Sequence, residues 1–247
     1  MSLEYVLRCV SPDLCVDHDR RRWPHLSEER SRLVGTVLSS KRTIYSSYVK
    51  RGLDFIIAAL ALIVLSPLML LCALAVLLDS GSPVLFKQDR LGLKGKVFPM
   101  YKFRSMVRNA EHTGSGVYSE EGDERVTRVG RILRALSLDE LPQFFNILKG
   151  DMSLIGPRPP LTYHPWNYDQ YTKEQLHMFD VRPGLTGWAQ INGRKAVEWH
   201  KRIELNNWYV DHVSFLLDCK IFCITVFKVL SHADNVNNGS TVDSDSD

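Results

Sequence analysis

The stretch from Phe55 to Leu78, FIIAALALIVLSPLMLLCALAVLL, holds 24 residues and no charge. As a helix it is long enough to cross the ~30 Å apolar core of a bilayer. A straight membrane span and the buried core helix of a soluble protein are both open to such a run. Two features favour a third form. Ser66-Pro67 stands at its middle, where proline removes a backbone donor and clashes with the carbonyl one turn back, so a kink is expected. The Ser66 hydroxyl can serve the backbone polar groups freed there. The flanks are the second feature. Lys41, Arg42, Lys50 and Arg51 precede the run, and Lys87, Arg90, Lys94, Lys96 and Lys102 follow it. Positive flanks prefer the cytoplasm, and a spanning helix can leave only one of them there. A re-entrant helix, broken at Ser66-Pro67 and returning to the face it entered, satisfies both. Each arm would have about 12 residues and reach roughly 18 Å, one leaflet deep.

On the N-terminal side, residues 1–46 read as a basic extension that contains Arg20-Arg21-Arg22 and supports no assignable chemistry. Glu4, Arg8 and the lack of a long apolar run argue against a signal peptide. On the C-terminal side the composition becomes that of a soluble domain from Gly81. Pro83–Phe86 and Val97–Phe103 read as two strands of a β-hairpin turning at Gly92 and Gly95. Thr113–Gly122 is Gly/Ser/Glu-rich, the composition of a mobile loop over a site. Helical spacing follows over Val129–Leu136, Leu138–Leu148 and Lys173–Asp180. From Asp211 to His232, polar residues at Asp211, Ser214, Asp218, Thr225, Lys228 and His232 make one stripe on an apolar helix. Such a helix either lies flat in a membrane interface or packs on the domain core. Residues 233–247 read as a disordered acidic tail. The expected fold class is α+β and mostly helical: a membrane re-entrant helix hairpin at 47–80, an amphipathic helix near the end, and a small domain with a β-hairpin at 81–232.

The whole chain has 247 residues, 45% apolar and 24% charged, as a folded protein does. Its net charge of +3 is unevenly spread, with basic residues in excess over the first hundred positions. A basic surface can meet nucleic acid, anionic lipid or phosphorylated substrates. Nucleic acid fits poorly with the uncharged run, and no helix-turn-helix, RRM or zinc-finger pattern is present. Cys9, Cys15, Cys72, Cys219 and Cys223 are too scattered for a disulfide framework or a zinc site, as in a reducing compartment. The eight histidines lack metal spacing, and there is no Walker A loop, GxSxG elbow or HExxH helix.

The chemistry gathers at Ser137-Leu-Asp-Glu-Leu-Pro-Gln143. Ser137 and Glu140 have the form of a capping box, which puts Asp139 in a helix's first turn. A helix N-terminus and Arg134 nearby are expected to hold its carboxylate ionised and aimed at a phosphate. A cap with a solvated basic face is the plainer reading. Phosphoryl transfer needs positive groups on phosphate oxygens and a positioned nucleophile. Lys102, Arg104, Arg134, Arg158, Arg182 and Arg194, on short segments fixed by turns and prolines, are the candidate phosphate contacts. A carboxylate can itself attack and form an acyl phosphate, with a second one handling protons.

Taken in order, the motifs resemble one family. They are Lys50-Arg51 with Asp54, Ser66-Pro67, Gly81-Ser-Pro-Val-Leu-Phe86, Gln88 with Arg90 and Gly92, and Met100-Tyr-Lys-Phe-Arg-Ser-Met106. Asp123 with Arg125 and Thr127, the Ser137–Gln143 stretch, Gly150-Asp-Met-Ser-Leu-Ile-Gly-Pro-Arg-Pro159, and Pro183-Gly-Leu-Thr-Gly-Trp-Ala-Gln-Ile-Asn-Gly-Arg194 follow. From about Tyr48 to Leu230 the chain resembles the bacterial sugar transferases, the monotopic phosphoglycosyl transferases that act on polyprenyl phosphate.

The resemblance implies that a UDP-sugar gives its sugar phosphate to Asp139, that UMP leaves, and that undecaprenyl phosphate then takes the sugar phosphate. Glu140 would be the partner carboxylate, and Mg²⁺ would bind at Asp139. It also maps family arginines onto Arg134, Arg158 and Arg194; with the candidates Lys102, Arg104 and Arg182, and with Gln190 and Asn192, these are the expected substrate contacts. The expected place is the cytoplasmic face of the bacterial inner membrane, with membrane lipid as a partner. Downstream glycosyltransferases and a second copy of the chain are further candidate partners. The C-terminal part looks most like the short members that use a modified N-acetyl sugar. Where those often have Glu-Leu-Asp, this chain has Glu204-Leu205-Asn206. A non-catalytic sugar-nucleotide binder would share the arginines without needing Asp139, and a lipid-surface scaffold would need neither carboxylate.

Overall fold

The uncharged run forms one helix, α1 (Lys50–Ser80), entered through a π-helical turn at Tyr45–Val49. A computed structural model describes residues 43–113, 116, 122–192 and 199–231. The 113–122 loop and the 1–46 extension lie largely outside these residues, and the acidic tail wholly so. The expected break at Ser66-Pro67 does not interrupt α1, which carries Pro67 inside it. Proline leaves the carbonyl four residues back, that of Ile63, without its helical donor. The Ser66 hydroxyl donates to that carbonyl at 2.8 Å.

Both ends of α1 pack on the domain, and its middle does not. Near the start, Ala58 is fully buried among Phe98, Met100, Ile147 and Met152. Near the end, Cys72 and Val76 pack with Phe103 and Leu133. Between them Leu60, Ile63, Val64, Leu70 and Leu71 are all more than half exposed. Covering such side chains is worth about 1.5–3 kcal/mol each, so water is a poor solvent for this surface.

The domain begins with a hairpin whose second strand is the expected one and whose first strand lies later than the expected Pro83–Phe86. β1 (Leu85–Leu91) pairs antiparallel with β2 (Val97–Phe103), from Leu85 opposite Phe103 to Leu91 opposite Val97. Next come α2 (Arg128–Ala135), α3 (Gln143–Lys149) and β3 (Ser153–Ile155). After α4 (Lys173–Leu176), which continues as a 3-10 turn over His177–Asp180, β4 (Gly184–Thr186) lies parallel to β3. This second, two-stranded sheet is absent from the sequence expectation. The short α5 (Trp188–Ile191), then α6 (Trp199–Asp211) and α7 (Phe215–Ser231) complete the described residues.

α7 is turned inside out relative to a surface helix. Its polar stripe faces the protein: the Asp218 carboxylate accepts from Tyr45, Lys50 and Tyr209, and Thr225 meets Thr186. Ile221 beside them is fully buried. Leu216 and Phe227, 80% and 71% exposed, stand on the outer side. Of the two expected placements, packing on the domain core is the one seen, and the opposite face of α7 is apolar and exposed.

Candidate active site

Between α2 and α3 the chain turns at Ser137, whose φ of 56° is left-handed. A serine cap needs extended backbone there to bring its oxygen onto the helix N–H groups. Ser137 makes no such bond, so the expected capping box is absent. Leu138–Glu140 form one 3-10 turn, and α3 starts only after Pro142. Asp139 therefore precedes the helix and does not sit in its first turn.

Asp139 is buried, only 8% exposed. Burial pushes its carboxyl above the ordinary 3.8; the Lys102 and Arg134 charges pull it down, and Glu140 adds to the rise. Desolvation thus works against the expected ionised carboxylate, and Lys102 and Arg134 work for it. Glu140 is less enclosed. Its Oε1 accepts from Lys102 Nζ at 2.6 Å and lies 4.0 Å from Arg158 Nη2.

Strand alternation explains Lys102. Phe98 and Met100, on the same face of β2, are buried in the core, and Lys102 is the next residue on that side. Arg134, on α2, donates from Nε to Ser105 Oγ at 2.9 Å. Burial pushes its guanidinium down, against the pull of Asp139. α2 comes this close because residue 130 is glycine: a Cβ there would stand 2.0 Å from the Ser105 carbonyl oxygen.

Arg158 projects from the loop after β3, 41% exposed at its side chain. The loop's base is backbone against backbone. A Cβ on Gly184 would meet the Gly156 nitrogen at 2.1 Å, and one on Gly187 the Gly156 oxygen at 2.0 Å. Arg90 backs the loop, donating to the Pro159 carbonyl at 3.2 Å. Burial, with the Arg158 charge, pushes Arg90 down to about 10.

The other candidates go elsewhere. Arg104 Nη2 donates to the Ser80 and Gly81 carbonyls, closing the end of α1. Arg182 Nε donates to Gly150 O, just past α3, and Arg51 serves the Ile147 and Leu148 carbonyls at the same helix end. Gln190 is buried, and neither end of its amide has a partner among the described residues. Asn192 donates to Trp188 O, ending α5. Arg194 lies outside the described residues. Asn206, at the Glu-Leu-Asn departure, is buried with its Oδ1 unpartnered among them. Sequence reasoning missed Arg90 and Ser105 as supports of the site. The signal for Arg90 was strand spacing, since Gln88 and Arg90 alternate on one side of β1; Ser105 lies past the end of β2 and had no such signal.

Among the described residues no three His, Cys, Asp or Glu side chains gather as a metal cage. Asp139 and Glu140 offer two adjacent carboxylates. That donor set suits Mg²⁺, which is held by one or two carboxylates together with substrate phosphates.

The profile of the bacterial sugar transferases matches residues 45–232, and the chain belongs to that family. It is 50% identical over 183 residues to EpsL of Bacillus subtilis (strain 168), an uncharacterized sugar transferase, covering 74% of this chain and 87% of that one. It is 42% identical over 239 residues to an Aeromonas hydrophila UDP-N-acetylgalactosamine-undecaprenyl-phosphate N-acetylgalactosaminephosphotransferase, covering 92% of this chain but 55% of the relative. A UDP-glucose:undecaprenyl-phosphate glucose-1-phosphate transferase of Escherichia coli (strain K12) is 43% identical over 185 residues, 73% of this chain and 40% of its own. The chain thus spans most of the first relative and about half or less of the other two.

Proposed function

We propose that this protein transfers a sugar 1-phosphate from a UDP-sugar to undecaprenyl phosphate, giving the lipid diphosphate sugar and UMP. The observation that carries the reading is a buried carboxylate, Asp139, beside a second one held by Lys102, with Arg134 and Arg158 close by. The family and the names of the relatives set the reaction class.

In this mechanism Asp139 attacks the phosphorus that bears the sugar. The bond from that phosphorus to the oxygen bridging to the UMP phosphorus breaks, and UMP leaves with the electron pair. A phosphate oxygen of the lipid then attacks the aspartyl phosphate and releases the Asp139 carboxylate. Arg158 is exposed enough to grip a substrate phosphate with its planar fork. Lys102 holds the Glu140 carboxylate in place beside Asp139, where it can manage protons. Mg²⁺, held by Asp139 and Glu140, would offset charge on the phosphate oxygens.

The same reading puts α1 in the cytoplasmic leaflet of the inner membrane as a re-entrant element. Ala58 and Val76 would be about 27 Å apart along a straight helix. Their partners Met100 and Phe103 are three residues apart on β2, about 10 Å. A bend at Pro67 would bring both arms back to one domain, and the Ser66 bond would keep the freed Ile63 carbonyl satisfied without water. The outer side of α7 would lie on the same surface. The catalytic domain is then 81–232, and downstream glycosyltransferases act on its product.

The test is a panel of UDP-sugars, each with undecaprenyl phosphate and Mg²⁺, read by UMP release. At least one sugar should give UMP in a lipid-dependent turnover. Binding of UDP-sugars with no UMP from any of them would leave a sugar-nucleotide binder.

A further inference from the structure

A second cluster of guanidiniums lies outside the dyad. Asp79, Ser80, Arg104, Val107, Arg108, Thr127 and Arg128 line an open cleft of about 520 Å³, between the end of α1 and the start of α2. Three of these residues are arginines and one is an acid. The acid is engaged: Asp79 Oδ2 accepts from the Val129 N–H. Thr127 is engaged as well, its hydroxyl accepting from Gly130 N.

Arg104 is 95% buried in the wall of the cleft, at 5% exposure. Its Nη2 neutralises the carbonyls that end α1, while Nε and Nη1 have no partner among the described residues. Burial pushes this guanidinium down, and the Arg108 charge does so further. Arg108 and Arg128 are exposed at the mouth, and Arg108 also donates to Ser82 O. Three guanidiniums against the single Asp79 carboxylate leave the cleft net positive, which suits an anion with several acceptor oxygens.

The apolar surroundings say how that anion arrives. The last turns of α1 expose Leu74, Leu77 and Leu78, and α2 exposes Ile132 and Leu136. The cleft therefore opens where a chain-exposed apolar surface meets a basic one. That is where a phosphate carried on a lipid would sit, its acyl chains beside α1.

We propose that this cleft binds the phosphate of a membrane lipid, with Arg108 and Arg128 as direct donors over the buried charge of Arg104. The site is separate from the dyad, and it rests on the reading of α1 as a membrane element. It would fix the depth and tilt of the domain where α1 leaves the bilayer.

Phenylglyoxal labelling of arginines, mapped by peptide mass spectrometry, tests this without any turnover, so its outcome is independent of the reaction at Asp139. The full chain is labelled in maltoside micelles that contain no phosphate, then with phosphatidylglycerol, then with inorganic phosphate at the same concentration. Arg131, exposed on α2 and outside the cleft lining, is the internal control. Phosphatidylglycerol should slow labelling of Arg108 and Arg128 at least fivefold relative to Arg131, and inorganic phosphate less than twofold. Retention of phosphatidylglycerol by the protein, read by native mass spectrometry, should fall at least fivefold in R108Q/R128Q. Equal protection by free phosphate would overturn the lipid source. Protection of Arg131 to the same degree, or none at all, would overturn the site.

Discussion

Two sets of arginines in this protein look alike in sequence and differ in what they hold. Arg51, Arg104 and Arg182 give their N–H groups to backbone carbonyls at the ends of α1 and α3. Arg134 and Arg158, with Lys102, stand instead around two carboxylates. The first set replaces the donors that a helix end lacks. The second set leaves positive charge where a phosphate can use it. A basic residue near a reactive carboxylate is thus evidence of chemistry only once its hydrogen bonds are known.

The largest effect should come from the dyad. D139N should lower lipid-dependent UMP release by about 10³-fold or more. It should also raise the melting temperature. The folded protein holds this carboxyl above its ordinary pKa, so Asp139's contribution to stability is complete at low pH and is lost as pH rises through the folded value. A neutral side chain avoids that loss. A D139N protein that melts lower than wild type at pH 7 would contradict the burial argument.

R51M tests the scaffold set. Two carbonyls at the end of α3 lose their donor, and stability should fall by about 3 kcal/mol. Thermal melting in detergent measures it, and UMP release per folded molecule should stay near wild type. Loss of turnover without loss of stability would move Arg51 to the other set.

R158K keeps the charge and loses the fork, and turnover should fall about tenfold to hundredfold with melting unchanged. Near-normal turnover would make Arg158 a support of the loop.

The smallest effect is a shift in pH profile. Asp139 must be ionised to attack, so activity should fall on the acid side at a higher pH than an ordinary aspartate would give. Lys102 opposes the upward shift, so K102M should move that acid limb higher still. A limb that stays put in K102M would show that Lys102 acts on Glu140 alone.

Much of this was legible in sequence, and the exceptions have physical causes. The hairpin and α1 follow from alternation and an uninterrupted apolar run. α6 does not show, because its buried side carries Asn206 next to Ile203, Tyr209 and Val210, which blurs the apolar period. β3 and β4 have three residues each, too few for alternation to register. The Ser137–Glu140 pair has the letters of a capping box, yet Ser137 takes a left-handed turn in which its side chain caps no helix N–H. At the site, the dyad and Lys102 could be read from type and spacing. The partners of Arg104 and Arg182 could not, since helix-end carbonyls leave no mark in sequence.

The central claim is that Asp139 takes the sugar phosphate covalently. Mass spectrometry of the protein incubated with a UDP-sugar that supports turnover, with Mg²⁺ and without lipid, tests it directly. The expected result is a sugar phosphate adduct on the peptide that contains Asp139, formed with one equivalent of UMP and discharged when undecaprenyl phosphate is added. No adduct, together with kinetics that require both substrates bound at once, would contradict it and leave a direct displacement in which Asp139 only binds the metal.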